Sequence, residues 1–285
     1  MIDIRHLKGV SATSLALGLA VAVSAPAAAQ QRDPSLDFSG PYVEGFGGLA
    51  ARGSDNGSSL EFDTNQDGRY GDTVTAAGAN AFSPGFCDGQ ALGPRPSNGC
   101  KSDEDNVEYG GRIGYDYRMN NFVVGGLIEA SKNKAIDTTT GFSTTPASYA
   151  LQRKLDYNVS ARLRAGYTPG GGMLFYVTGG GSMAKIDHRL FTTNTANSFD
   201  SVRDNKRVWG WQVGGGGELM VTNNVSLGVE YLYNRYSDDK NYYVVGRGTA
   251  PATNPFVATS GATRMRIADD QFDYHSLRAT VGFHF

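Results

Sequence analysis

With 285 residues and a formal charge of −2, the chain has no basic surplus for holding nucleic acid. Beyond its N-terminal stretch the longest apolar run is FVVGGLI at 122–128, far short of the roughly 20 residues a membrane helix requires. Glycine is the compositional excess at 38 residues, about twice its usual share, and much of it lies inside alternating segments, where it marks curved strands and close backbone approaches.

The first residues carry Arg5 and Lys8, then SLALGLAVAVSA, then APAAAQ with Ala27 and Ala29 in the small-residue positions. That three-part layout predicts a cleaved secretory signal over 1–29, since the apolar part is too short to anchor the chain. Loss of Arg5, Lys8 and Asp3 takes the charge from −2 to −3. A short segment, 30–39, precedes the first alternating stretch.

GPYVEGFGGLA (40–50) is ambiguous in phase, because any strand that turns Glu44 inward also turns Phe46 inward. A long polar connection follows at about 51–106. It holds Cys87 and Cys100, which an exported, loop-rich context predicts to be disulfide-bonded. The same connection contains DTNQDGRYGDTV, where Asp63, Asn65, Asp67 and Gly68 match the opening of a calcium loop. Val74 stands where the bidentate glutamate is due, so the stretch reads as an acidic solvated loop and no metal site is expected.

Six further stretches alternate before the end. VEYGGRIGYDY (107–117) sets Val107, Tyr109, Ile113, Tyr115 and Tyr117 against Glu108, Arg112 and Asp116. FVVGGLIEAS (122–131) and MLFYVTGGGSMA (173–184) alternate less cleanly, with Glu129, Thr178 and Ser182 marking the inner face. LDYNVSARLRAGY (155–167) is the clearest, opposing Leu155, Tyr157, Val159 and Leu163 to Asp156, Asn158, Ser160, Arg162 and Arg164. VWGWQVGGGGEL (208–219) and VSLGVEYLY (225–233) place Glu218 and Glu230 opposite tryptophans, valines and tyrosines. The chain ends on YHSLRATVGFHF, with Leu277, Ala279, Val281, Phe283 and Phe285 on one face and Arg278 on the other.

Short, turn-like connections (118–121, 168–172, 221–224) alternate strictly with long polar ones (51–106, 132–154, 185–207, 234–271). This predicts an all-β fold: an eight-stranded antiparallel up-and-down transmembrane β-barrel spanning 40–285, with four long external loops and short periplasmic turns. A secreted soluble barrel has the same period, but it does not call for aromatics at the strand ends of the apolar face.

GWQVGGGGELMVTNNVSLGVEYLYNRYSD, with the closing LRATVGFHF, resembles the small outer-membrane β-barrel proteins of Gram-negative bacteria, the OmpA-like, opacity-like porin family. The resemblance implies an outer-membrane location and roles in envelope integrity, adhesion or host contact through the loops. It also implies Phe283 and Phe285 as a signal to barrel-assembly machinery, and outer-membrane lipid and lipopolysaccharide as neighbours. The chain departs from full-length OmpA-like proteins in showing no peptidoglycan-gripping domain after the barrel.

Parity sends Glu108, Arg112, Asp116, Glu129, Asp156, Arg162, Arg164, Glu218, Glu230 and Arg278 into the lumen. An eight-stranded barrel is just wide enough for its own side chains, so these charges are expected to pair and close it. A small diffusion porin, with the same charges lining a narrow pore, is the alternative. After cleavage the histidines are His188, His275 and His284; adjacent strand residues such as His275 and Ser276 point to opposite faces, so catalysis is not expected, and neither is a cofactor.

Overall fold

The computed structural model describes residues 37–52, 58–103, 105–203 and 206–285. The expected signal, 1–29, and most of the segment after it lie outside these residues. Eight strands form the barrel: β1 (Gly40–Ala51), β2 (Asn106–Met119), β3 (Phe122–Asn133), β4 (Ala147–Gly170), β5 (Met173–Thr192), β6 (Lys206–Met220), β7 (Val225–Ser237) and β8 (Gln271–His284). Each pairs antiparallel with its neighbour in sequence, and β1 pairs with β8 from Tyr42 opposite His284 to Ala51 opposite His275, so the sheet closes on itself. Closure leaves the membrane-facing wall without a free edge.

The tight turns use the residues that tolerate left-handed backbone. Asn120 has φ 56°, and Gly170, Gly171 and Gly172 all have positive φ. Within the wall the inward glycines make room: a Cβ on Gly125 would overlap the carboxylate of Asp116 across the strand pair.

Side chains alternate between a polar interior and an apolar exterior. Leu163 is 75% exposed and Trp209 72%, whereas Arg162 and Arg164 are buried. Such a continuous apolar exterior is far larger than the patches soluble monomers leave in water and suits a hydrocarbon surround. Among the described residues no helix is long and apolar enough to cross a membrane.

β1 resolves its ambiguity by turning both Glu44 and Phe46 inward, each buried. The Phe46 ring is tolerated there because it lies 4.4 Å beneath the Arg278 guanidinium.

Two features differ from expectation. First, β4 and β5 run well past the segments that alternate cleanly, so 147–154 and 185–192 are strand, not loop. Second, the long connections fold together. Leu60–Asp63, Ser198–Val202, Tyr242–Gly246 and Thr263–Ile267, drawn from three of them, form a four-stranded antiparallel sheet. With Phe82, Tyr149, Leu151 and Phe256 they enclose an apolar core of their own, a cap over the loop end of the barrel. Cys87 and Cys100 are disulfide-bonded beside it.

Candidate functional site

The lumen is filled in three layers. At the turn end Phe38, Val123, Leu174, Tyr176 and Met220 pack together, bringing the chain before β1 into the barrel mouth. At the loop end Leu155, Ile186, Tyr236, Phe272 and Tyr274 form a second apolar layer. Between them lie the charges.

Each of four inward arginines reaches two acidic side chains. Arg112 grips Glu44 through Nε and Nη2 at 2.6 and 2.8 Å and reaches Glu230 through Nη1 at 2.7 Å. Arg162 donates to Glu129 at 2.5 Å and to Glu230 at 3.4 Å. Arg278 joins Glu108 at 2.9 Å and Glu129 at 2.6 Å. Arg164 holds Asp116 and lies 3.1 Å from Glu218. Bidentate, charge-assisted bonds of this kind are the strong ones. Tyr42 and Tyr176 flank the Arg164 guanidinium at 4.5 and 5.1 Å, and Ser131 donates to Glu108 at 2.9 Å. The side chains are fully buried, so they meet the usual condition for burying charge, which is a partner for each.

Asp156 is not part of this set. The ladder between β4 and β5 slips between Leu155 and Tyr157, where a β-bulge inserts one residue and reverses the phase. Asp156 is therefore turned out of the lumen, 3.7 Å from Lys132 and 3.5 Å from Lys185, while Leu155, read from sequence as outward, is buried in the loop-end layer. Glu44 and His284 complete the network without having been assigned to it. Glu44 was hidden by its ambiguous strand, and its spacing to Phe46 gave no way to choose.

His284, Ser226 and Glu218 meet at the turn end, but not as a catalytic relay. Nε2 of His284 faces both Ser226 Oγ at 3.0 Å and Glu218 at 3.1 Å, and the serine hydroxyl donates to Glu218 at 2.6 Å. A nucleophile–base–acid triad uses the two ring nitrogens for different partners. His275 meets the Tyr231 hydroxyl at 2.6 Å, and His188 meets Asp238 at 2.7 Å. Phe283 and Phe285 lie on the outer face at the turn end, 46% and 69% exposed.

In the cap, Asp63 accepts from the amides of Asp67 and Gly68 and pairs with Arg264, so turn closure already uses its oxygens. The amide and hydroxyl of Thr64 donate to Asp72 at 2.9 and 3.0 Å and hold its carboxyl below the ordinary range. Asp88, Asp103 and Asp137 bring their carboxylates within 4.8 Å of one another. Arg52 and Arg153 pair with Asp137, and Thr138 donates twice to Asp103, so the positive charge this cluster needs is supplied by arginine. Burial still pushes the Asp103 carboxyl up.

Residues 14–285 match the family model described as Outer membrane protein beta-barrel domain. The chain belongs to that family. It is an outer-membrane protein, and the long-connection side that bears the cap is the external one. Over 124 residues it is 26% identical to the 31 kDa outer-membrane immunogenic protein of Brucella melitensis biotype 1, covering 44% of this chain and 51% of that one. It is 27% identical to a 22 kDa outer membrane protein of Rhizobium leguminosarum bv. viciae over 144 residues, 50% of this chain and 58% of the other. The chain thus spans about half the length of the curated relatives it matches. Among solved structures, OprG from Pseudomonas aeruginosa is similar at 12% identity and a TM-score of 0.49, covering 87% of this chain and 97% of that one. Neisserial surface protein A follows at 14% identity and 0.34, covering 87% and 98%.

Proposed function

We propose that this barrel is a structural and surface-interaction protein, closed to solute flow, whose external cap is what it presents to the surroundings. The observation that carries this reading is the filled lumen: an apolar layer at each end and, between them, arginines that each hold two acidic side chains. A diffusion pore of eight strands would need its inward charges to face water; here they face one another. The cap supports the second half of the reading, because connections with a core of their own present a fixed surface, which binding by shape requires.

Envelope integrity, adhesion and host contact are the roles this architecture serves, with lipopolysaccharide and other outer-membrane lipid against the wall. Phe283 and Phe285, on the outer face beside the last turns, are the proposed contact for barrel-assembly machinery. Replacing Arg162 and Arg164 together by methionine tests the closure. The expected outcome is a barrel that folds poorly or unfolds at lower urea; a barrel of unchanged stability with altered ion selectivity would mean a pore. Display on a non-adherent Gram-negative host tests the surface role: adhesion gained with the intact cap is expected to be lost when the cap is opened.

A further inference from the structure

The outer wall is not uniform. Three cations, Lys132 on β3, Lys185 on β5 and Arg207 on β6, fall in one transverse row with Tyr109 and Tyr157. The register pairs Tyr109 with Lys132, Lys132 with Tyr157, Tyr157 with Lys185 and Lys185 with Arg207. Lys132 lies some ten residues along its strand from Phe122, roughly 25 Å of height at ordinary rise and tilt, where the apolar band of such a barrel ends. Lys154 and Arg189 add two more cations just beyond the row. On the opposite flank, β7, β8, β1 and β2 carry Arg235, placed opposite Asp273, with His275, Leu49 and Val107. The positive charge is therefore concentrated on one side.

Beneath Lys185 the outward residue of β5 is Met183, between Val159 and Trp209, and below Met183 the wall is hollow. The outward residues of β5 below it include Gly181 and Gly179, and Ala161 stands beside Gly181 on β4. Leu163 rises on one side, Trp211 and Val213 on the other. A shallow apolar furrow of about 490 Å³ opens at the far end of this track, lined by Leu163, Val177 and Val213. Folding does not demand the gap, since a Cβ on Gly181 would meet nothing within 4 Å. Gly179 lies about 20 Å along the strand from Lys185, with Met183 standing between the cations and the glycine track.

Asp156 shows what the cations converge on. Its carboxylate sits between the Lys132 and Lys185 ammonium groups at 3.7 and 3.5 Å, and Lys185 also reaches Asp187 at 3.4 Å. Two ammonium groups thus share one anion-sized space, with more cations around it than the two carboxylates can balance.

We propose that this flank is a binding site for a phosphate-bearing lipid of the outer leaflet, its headgroup phosphates on Lys132, Lys185 and Arg207 and an acyl chain laid along the Gly181 and Gly179 track. The inference rests on the reading that this wall faces lipid and deepens it to one flank and one headgroup chemistry. Each of the three cations gains attraction to an anionic lipid surface, while the apolar track contributes along the chain.

The test uses the refolded barrel in neutral detergent, with bisphosphorylated lipid A, its dephosphorylated form and inorganic phosphate as probes, read by native mass spectrometry. Heat-modifiable migration on gels first establishes that each variant is folded; failure there would count against the membrane reading itself. The folded protein is expected to retain bisphosphorylated lipid A and to lose it on removal of the phosphates. K132Q/K185Q/R207Q should weaken retention at least about tenfold, G181L should weaken it by blocking the track, and R118Q, far from the row, should not. D156N, which removes the competing carboxylate, should strengthen it. Equal retention of both lipids, equal retention by the triple variant, or displacement by millimolar phosphate, the mark of a free-anion site, would overturn the proposal.

Discussion

Arg112 illustrates how far one residue commits its neighbours. Among the described residues Glu44 finds its charged partner in that guanidinium alone, through two bonds at 2.6 and 2.8 Å, whereas Glu230 is also approached by Arg162 and Arg278. R112M therefore strands Glu44 as a buried, unpaired carboxylate, at a cost of about 3–5 kcal/mol. The urea midpoint of the barrel folded into vesicles should fall accordingly, and E44Q in the same chain should restore part of the loss. If the single and double variants unfold alike, the pair carries no coupling. Asp72 makes a different prediction at the same scale. Its carboxyl is held below the ordinary range by Thr64, so the contribution is full above the unfolded value, near pH 4. It is lost as pH falls through the lower folded value. The Thr64 amide resonance should report that transition, and D72N should abolish it.

At the scale of elements, the bulge at Asp156 sets the phase of the outer half of β4. Deleting Asp156 would remove the bulge and join Leu155 directly to outward Tyr157, giving unbroken alternation with Leu155 still turned into the loop-end layer, where it is now fully buried. The expected result is an intact membrane wall and a cap that proteases open no faster than in the parent chain; faster opening would mean that Asp156 itself supports the cap. The disulfide acts on the same region: it closes a ring of 13 residues' separation, and by the chain-entropy account such a ring is worth about 3 kcal/mol to the segment it constrains. C87S/C100S should raise amide exchange in the cap and leave the barrel strands protected. These elements also show where sequence reading reaches its limit. Alternation exposes the strands that have lipid on one face and lumen on the other, because two different surroundings select two kinds of residue. Over 147–151 the strand is buried on both faces, one of them in the cap core, so no alternation exists to be read. The cap strands, only four or five residues long, offer little more than Leu60 and Phe62, Tyr243 and Val245, or Met265 and Ile267 as spaced pairs. Asp156 carries no signal at all, since a bulge is set by how two strands fit and not by the residue inserted.

The whole molecule is a wall, a filling and a lid. The wall faces hydrocarbon, the filling pairs its charges across the interior, and the lid has a core that does not depend on the filling. On the proposed reading these parts make the barrel a support for its external surface, with the lumen of the described residues filled by their own side chains. The most direct test is single-channel recording of the refolded chain from residue 30 onward in a planar bilayer, with insertion established independently. The account predicts a folded, inserted and electrically silent barrel. Stable, reproducible current steps would contradict it and would turn the paired arginines and carboxylates into the lining of a pore.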